Sequence, residues 1–238
     1  MRLRSIPLSA WIGILGIAIA IFAAIFADFI APYGEGEIVG DIWLPMGGDF
    51  LLGTDNLGRD LLSRLIFGAR TTISVALAAS ILCFSLGMIL SFTAAVTGGV
   101  VDQVLSRLND LMMSVPALIL ALVILAVLPQ NIFILITVMA VIDSTRVYRL
   151  GRAVALDVAV MEFVEAAKLR GEGKIWIIFR EILPNTLSPL LAEFGLRFAF
   201  SILFLSTLSF LGLGIQPPAA DWGGRTTRTA SSSAYRPP

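Results

Sequence analysis

The chain has 238 residues, of which 57% are hydrophobic and only 14% charged, with 17 basic side chains balanced by 17 acidic ones. Mean hydropathy is +0.90, the mark of membrane segments, and a zero net charge leaves no basic excess to attract nucleic acid. One cysteine, Cys83, excludes an internal disulfide framework, and the lack of histidine removes the commonest metal ligand and general base, so no catalytic, cofactor or metal site is expected.

The expected fold is all-α, a polytopic membrane helix bundle with about five transmembrane helices and a cytoplasmic coupling helix. A membrane helix needs roughly 20 mostly apolar residues. The first candidate span runs from about Leu8 to Ala27, behind Arg2 and Arg4. Its apolar run is longer than the roughly 7–15 residues of a signal-peptide core, so it reads as an uncleaved anchor. The following segment, Asp28–Arg70, contains Gly53, Thr54, Asp55, Gly58, Arg59 and Asp60. Aspartates beside glycines usually make turns rather than metal sites, and a docking or gating element is expected there. Arg59, Arg64 and Arg70 suit an amphipathic helix at the outer interface.

A second span is expected at about Thr72–Val96. It carries Ala79, Cys83, Gly87, Ser91 and Ala95 at intervals of four, a stripe of small residues that lets another helix pack closely. In that stripe Cys83 reads as a packing residue rather than a reactive thiol. The third span covers about Leu111–Leu128, and Pro129-Gln130-Asn131 turns the chain into a fourth at about Ile132–Ile142, extensible through Tyr148. Asp143 and Arg146 at its end read as a snorkelling charge set. The fifth, about Leu187–Leu213, contains Glu193 and Arg197, one helical turn apart in the favourable order for an ion pair.

Arg146, Arg149, Arg152, Lys168, Arg170, Lys174 and Arg180 crowd the stretch between spans four and five, which places that loop in the cytoplasm and the N-terminus with it. Within it Glu165, Ala166, Ala167, Lys168 and Leu169 favour helix, whereas Gly171 and Gly173 break it. Ile175, Trp176, Ile178 and Phe179 supply an apolar face, and Pro184 suits the first turn of the next helix. The physical reading is a helix–turn–helix small enough to enter a partner's groove.

Glu165-Ala166-Ala167, then Gly171, then Leu183-Pro184 resembles the signature loop of ABC importer permeases, with Glu181 where isoleucine is usual. Residues 50–60, Arg107, Asp110, Ser114 and Pro116, then Ser209–Gly214 with Gln216-Pro217-Pro218 and Asp221-Trp222-Gly223, resemble the second permease of the dipeptide, oligopeptide and nickel branch. The resemblance implies a multi-pass subunit of a bacterial or archaeal cytoplasmic membrane. It further implies a homologous permease beside it in the lipid, two cytoplasmic ATPase subunits and an extracytoplasmic solute-binding protein. ATP hydrolysis would then belong to a partner; this chain has no G-x-x-x-x-G-K-[ST] loop.

Three regions are expected: 1–70, an anchor and extracytoplasmic segment; 71–224, a permease core with its coupling loop at 157–184; and 225–238, a polar tail expected to be disordered and aberrant. On the resemblance, a sixth span would follow Gly224, so a truncated or frameshifted end is expected. The competing functional reading is a non-transporting scaffold that still binds an ATPase.

Overall fold

The computed structural model describes residues 8–224; Arg2, Arg4 and the tail from Arg225 to Pro238 lie outside them. Among the described residues every extended regular element is helical. The order is α1 (Leu8–Ile25), α2 (Ala27–Ile30), α3 (Leu61–Thr97), α4 (Gly99–Met113), α5 (Ala117–Val127) and α6 (Ile132–Ala159). Then come α7 (Glu162–Leu169), α8 (Lys174–Ile177), a π-helical turn (Ile178–Ile182) and α9 (Leu183–Phe210). Helix α1 has only Ala24 buried and turns isoleucine, leucine and phenylalanine outward on all sides, the surface of a helix whose solvent is lipid.

Several expected boundaries move. Helix α3 starts at Leu61, eleven residues before the expected Thr72, because Asp60 caps it: its Oδ2 accepts from Ser63 N at 2.7 Å and Ser63 Oγ at 2.6 Å. Arg64 and Arg70 therefore sit in the first turns of α3 itself, not on a separate interfacial helix. The expected third span is broken, since α4 and α5 meet at 84° across Ser114–Pro116; Pro116 resists helix at the residue before it and removes a donor. The expected fourth span continues to Ala159 as a 28-residue helix, so Asp143 and Arg146 fall mid-helix rather than at an end. Asn131 starts that helix by accepting from Phe133 N at 2.8 Å.

Among the described residues, only α1, α3 and the continuous stretch Lys174–Phe210 are individually long and apolar enough to cross a membrane, with α4 and α5 qualifying together as one bent span. The fourth expected span, α6, has the length but carries Asp143, Arg146, Arg149 and Arg152.

The contacts divide the chain into two units, one combining everything up to Val75 with everything from Phe204 on, the other Ala76–Leu203. In the first unit the loop between α2 and α3 is tied to itself. Gly53, Thr54, Asp55, Gly58, Arg59 and Asp60 are all buried. Thr54 Oγ1 donates to Asp41 O at 2.6 Å and accepts from Leu44 N at 2.8 Å. Gly53 and Gly58 have φ of 78° and 74°, and a Cβ at either would sit on a backbone carbonyl oxygen, of Leu44 and of Gly40 respectively. In the same unit Asp221-Trp222-Gly223 folds back on α3, with Trp222 Nε1 donating to Leu65 O at 3.2 Å and Trp222 N to Thr72 Oγ1 at 3.2 Å.

Asp55 is the hub of the loop. It accepts from Leu57 N at 2.8 Å and Arg59 Nε at 2.8 Å, and Arg64 Nε lies 3.6 Å away. Burial pushes its carboxyl up, but the Arg59 side chain and the amides of Arg59 and Leu57 outweigh it and hold the group below the ordinary 3.8. Since the folded pKa is the lower one, this stabilisation is full above about pH 4 and is lost as pH falls through the depressed folded value. Asp55→Ala, which strands Arg59 without its carboxylate, is expected to cost about 3 kcal/mol at neutral pH. The check is protease cleavage within residues 40–58, which should be fast in the variant at pH 7 and in wild type only under strongly acid conditions.

The second unit is organised around α6. Gly87 of α3 meets Val147, and Ser91 meets Gly151, so the stripe of small residues on α3 is where α6 comes closest. Ala79, Cys83, Gly87 and Ser91 are all buried. Helix α4 is held to α6 by Arg152, whose Nε and Nη2 each lie 2.5 Å from a different oxygen of Asp102, with Ser106 and Tyr148 hydroxyls 2.9 Å apart beside them.

Candidate coupling site

The signature segment folds into a helical hairpin. Helix α7 spans two turns, and its sequence divides its faces: Val164 and Ala167, three apart, are fully buried, while Glu165, Ala166, Lys168 and Leu169 are exposed. The two alanines of the motif thus differ in role. Ala167 packs into a core of Phe92 from α3, Ala155 from α6, Ile177 from α8, Ile182 from the π turn and Leu190 from α9. Ala166 faces outward, next to Glu165, which makes no ion pair among the described residues, and near Leu169, whose apolar side chain is 85% exposed.

Gly171 ends α7 in a left-handed conformation, φ 82°. Its amide donates to Lys168 O at 3.0 Å and the amide of Glu172 to Ala167 O at 3.2 Å, the paired bonds of a Schellman cap. The four residues from Ala167 to Gly171 are therefore a geometric requirement, the distance from a seated helix face to the glycine that stops the helix. The same device closes α9, where Gly212 (φ 82°) donates to Ser209 O at 3.1 Å and Leu213 to Leu208 O at 2.9 Å.

Leu183-Pro184 occupies a different setting from the one expected. Pro184 stands in the first turn of α9, yet α9 follows without a break on α8 and the π turn, so this is no free helix start. A proline inside a continuous helix lacks its amide and crowds the carbonyl four residues back, here Arg180. The chain widens at that point: Leu183 N donates to Ile178 O, five residues back, and Asn185 Nδ2 donates to Glu181 O at 2.6 Å. Glu181, the departure from the usual isoleucine, lies 3.9 Å from Arg170 Nη2, and Arg170 lies over the Trp176 ring at 5.8 Å.

Of the expected apolar face, Ile175 and Phe179 are exposed, and with Ile178 they border an apolar groove of about 600 Å³ between α3 and α9. The motif residues Glu165, Ala166, Ala167, Gly171, Leu183 and Pro184 all belong to one hairpin. The residues that seat it, Val164, Phe92 and Ala155, carry no sequence signal beyond the spacing of Val164 and Ala167. No group of acidic or cysteine side chains able to hold a metal occurs among the described residues.

Residues 84–235 match the family described as binding-protein-dependent transport system inner membrane component. The chain is similar to the di/tripeptide transport system permease protein DppC of Pseudomonas aeruginosa, 36% identical over 230 residues, 94% of this chain and 75% of that one. It is 38% identical over 221 residues to the dipeptide transport system permease protein DppC of Escherichia coli K12, covering 90% of this chain and 74% of the relative. The dipeptide permease of Haemophilus influenzae is 33% identical over 221 residues, with 90% and 75% covered. A membrane helix bundle with a seated signature hairpin, matched over most of its length, belongs to the family of inner membrane components of binding-protein-dependent transport systems.

Proposed function

We propose that this chain is the transmembrane subunit of an ATP-driven importer of short peptides, and that α7 is the element through which a cytoplasmic ATPase moves it. The observation that carries the reading is the two-faced seating of α7. One face offers Glu165, Ala166 and Leu169 to a partner; the other, through Val164 and Ala167, is packed on residues of α3, α6 and α9. A partner cleft closing on the first face moves three long helices through the second, because packed cores shift as units rather than deform. The peptide cargo follows from the names of the similar permeases. A homologous permease, two ATPase subunits and an extracytoplasmic solute-binding protein complete the assembly, and ATP is hydrolysed on the ATPases.

The test is co-expression with the cognate ATPase and permease, followed by copurification and uptake of labelled di- and tripeptides into vesicles. Wild type is expected to retain the ATPase and take up peptide. Glu165→Ala combined with Leu169→Ala is expected to lose more than about tenfold of the captured ATPase, the scale of removing one or two buried anchors. Retention of the ATPase by that variant would remove α7 as the contact, and uptake of no peptide by an assembled wild type would remove the cargo assignment.

A further inference from the structure

Inside the second unit, the apolar groove of about 600 Å³ is walled by Ile81, Phe84 and Ile89 on α3 and by Ile178, Leu187 and Leu191 on the π turn and α9. Phe84 and Phe194 meet edge-on beside it, their ring centroids 5.1 Å apart. On α3 the wall runs from Ile81 to Thr93, about 18 Å at 1.5 Å per residue, close to the roughly 15 Å that one leaflet contributes to a hydrocarbon core of about 30 Å. The buried Phe92 and Leu190, from the core that seats α7, also line it. Thr93 lies one turn from the end of α3, and Ile175 is the second residue of α8, so the groove reaches the hairpin end of both walls.

Two cations stand at that end. Successive helical residues turn by about 100°, so Ile175, Ile178 and Phe179 form one apolar strip, with Lys174 at one edge and Arg180 at the other. Both cations are exposed, and neither makes an ion pair among the described residues. The neighbouring acids Glu172 and Glu181 are instead approached by Arg170, at 3.8 and 3.9 Å. An apolar slot one leaflet deep, with two unanswered positive charges at its polar end, matches a molecule with an acyl chain and a negative head. We propose that this groove is a binding site for an anionic phospholipid, its acyl chain lying along α3 and α9 and its phosphate held by Lys174 and Arg180. An apolar protein helix in the groove would leave both charges unanswered, and a zwitterionic lipid brings a cation of its own to them. The inference rests on the importer reading above only in placing the hairpin at the cytoplasmic membrane surface, and not on the identity of the cargo.

Photolabelling of the complete complex in phosphatidylcholine vesicles tests it, the vesicles being doped with phosphatidylglycerol or phosphatidylcholine that carries a diazirine in its acyl chain. Peptide mapping is expected to find residues 81–93 and 175–194 labelled about tenfold more by the phosphatidylglycerol probe, since each basic side chain beside an anionic headgroup contributes severalfold. Lys174→Gln with Arg180→Gln is expected to bring the two probes level, and Lys174→Arg with Arg180→Lys to keep the preference. Leu191→Trp, which fills the groove and leaves both cations, is expected to cut labelling there by both probes. Equal labelling by the two probes in wild type overturns the site, and that comparison stands even where a variant fails to assemble. A preference that survives loss of both cations in an assembled complex overturns it as well. So does an assembled wild type labelled by neither probe, which shows a protein segment covering the groove. Peptide uptake with equal labelling overturns the lipid site alone; selective labelling without peptide uptake overturns the cargo reading and supports the lipid site.

Discussion

Ala167→Glu is expected to abolish coupled uptake by unseating α7, whereas Ala166→Glu, one residue away, is expected to leave α7 in place. Ala167 is wholly buried among Phe92, Ala155, Ile177, Ile182 and Leu190, with no cation in that cluster. A carboxylate there is an uncompensated buried charge, an effect of about 3–5 kcal/mol, comparable with breaking a buried ion pair. That exceeds what two short helices hold by themselves, so the hairpin should detach and become cleavable around Gly171–Gly173. Ala166 lies about 100° further round the helix and is exposed, so its glutamate stays solvated and the hairpin stays protected from protease. If α7 is the ATPase contact, Ala166→Glu should nonetheless reduce ATPase capture, since it adds bulk and charge on the presented face. Proteolysis and copurification together separate the two: loss of both protection and capture at 167, loss of capture alone at 166. Equal protease sensitivity of the two variants would contradict the seating described here.

Gly87→Leu is expected to prevent stable folding of the second unit, with Gly87→Ala a milder form of the same defect. A Cβ at position 87 would lie 2.6 Å from Val147 Cβ, 2.7 Å from Val147 Cγ1 and 3.0 Å from Ser144 O. Val147 is fully buried, so α3 and α6 must move apart. Overpacking of this kind costs about 1–3 kcal/mol for a small addition and more for a leucine. In a membrane the loss is not recovered elsewhere, because helix association there depends on close packing rather than on hiding apolar surface from water. Thermal unfolding of the purified complex reads the effect. Val147→Gly in the Gly87→Ala background is expected to recover part of it, by removing the first two contacts while leaving the Ser144 carbonyl. Recovery by a distant substitution and none by Val147→Gly would place the clash elsewhere.

Much of this site was legible in one dimension because its causes are local. The interval from Ala167 to Gly171 is a helix face followed by its Schellman glycine, and both parts depend on residues within one turn of each other. The long apolar stretches near Leu8, Thr72 and Leu187 likewise declare membrane helices without reference to partners. The charges were harder to place. Asp143 looked like a solvated end charge because the apolar run stops there, yet α6 continues for another sixteen residues to Ala159 and is held along that part by Arg152 and Tyr148. Their partners, Asp102 and Ser106, lie 50 and 42 residues away in the chain, so no local pattern announces them. The residues around Asp55 suit a docking or gating element by type and spacing. They are buried, with Asp55 paired to Arg59 at 2.7 Å and 3.6 Å from Arg64 inside the loop.

The sequence by itself determined the class of the protein, its family and the spacing of its helical hairpin. Those rest on hydropathy, on glycine's access to positive φ, and on spacing within a few turns. Tertiary structure alone decided which of two adjacent alanines is buried, how the helix passes Pro184 through a π turn, and that Asp143 is buried within a continuous α6. These outcomes depend on which helices meet, and such meetings are set by packing between residues far apart in the chain.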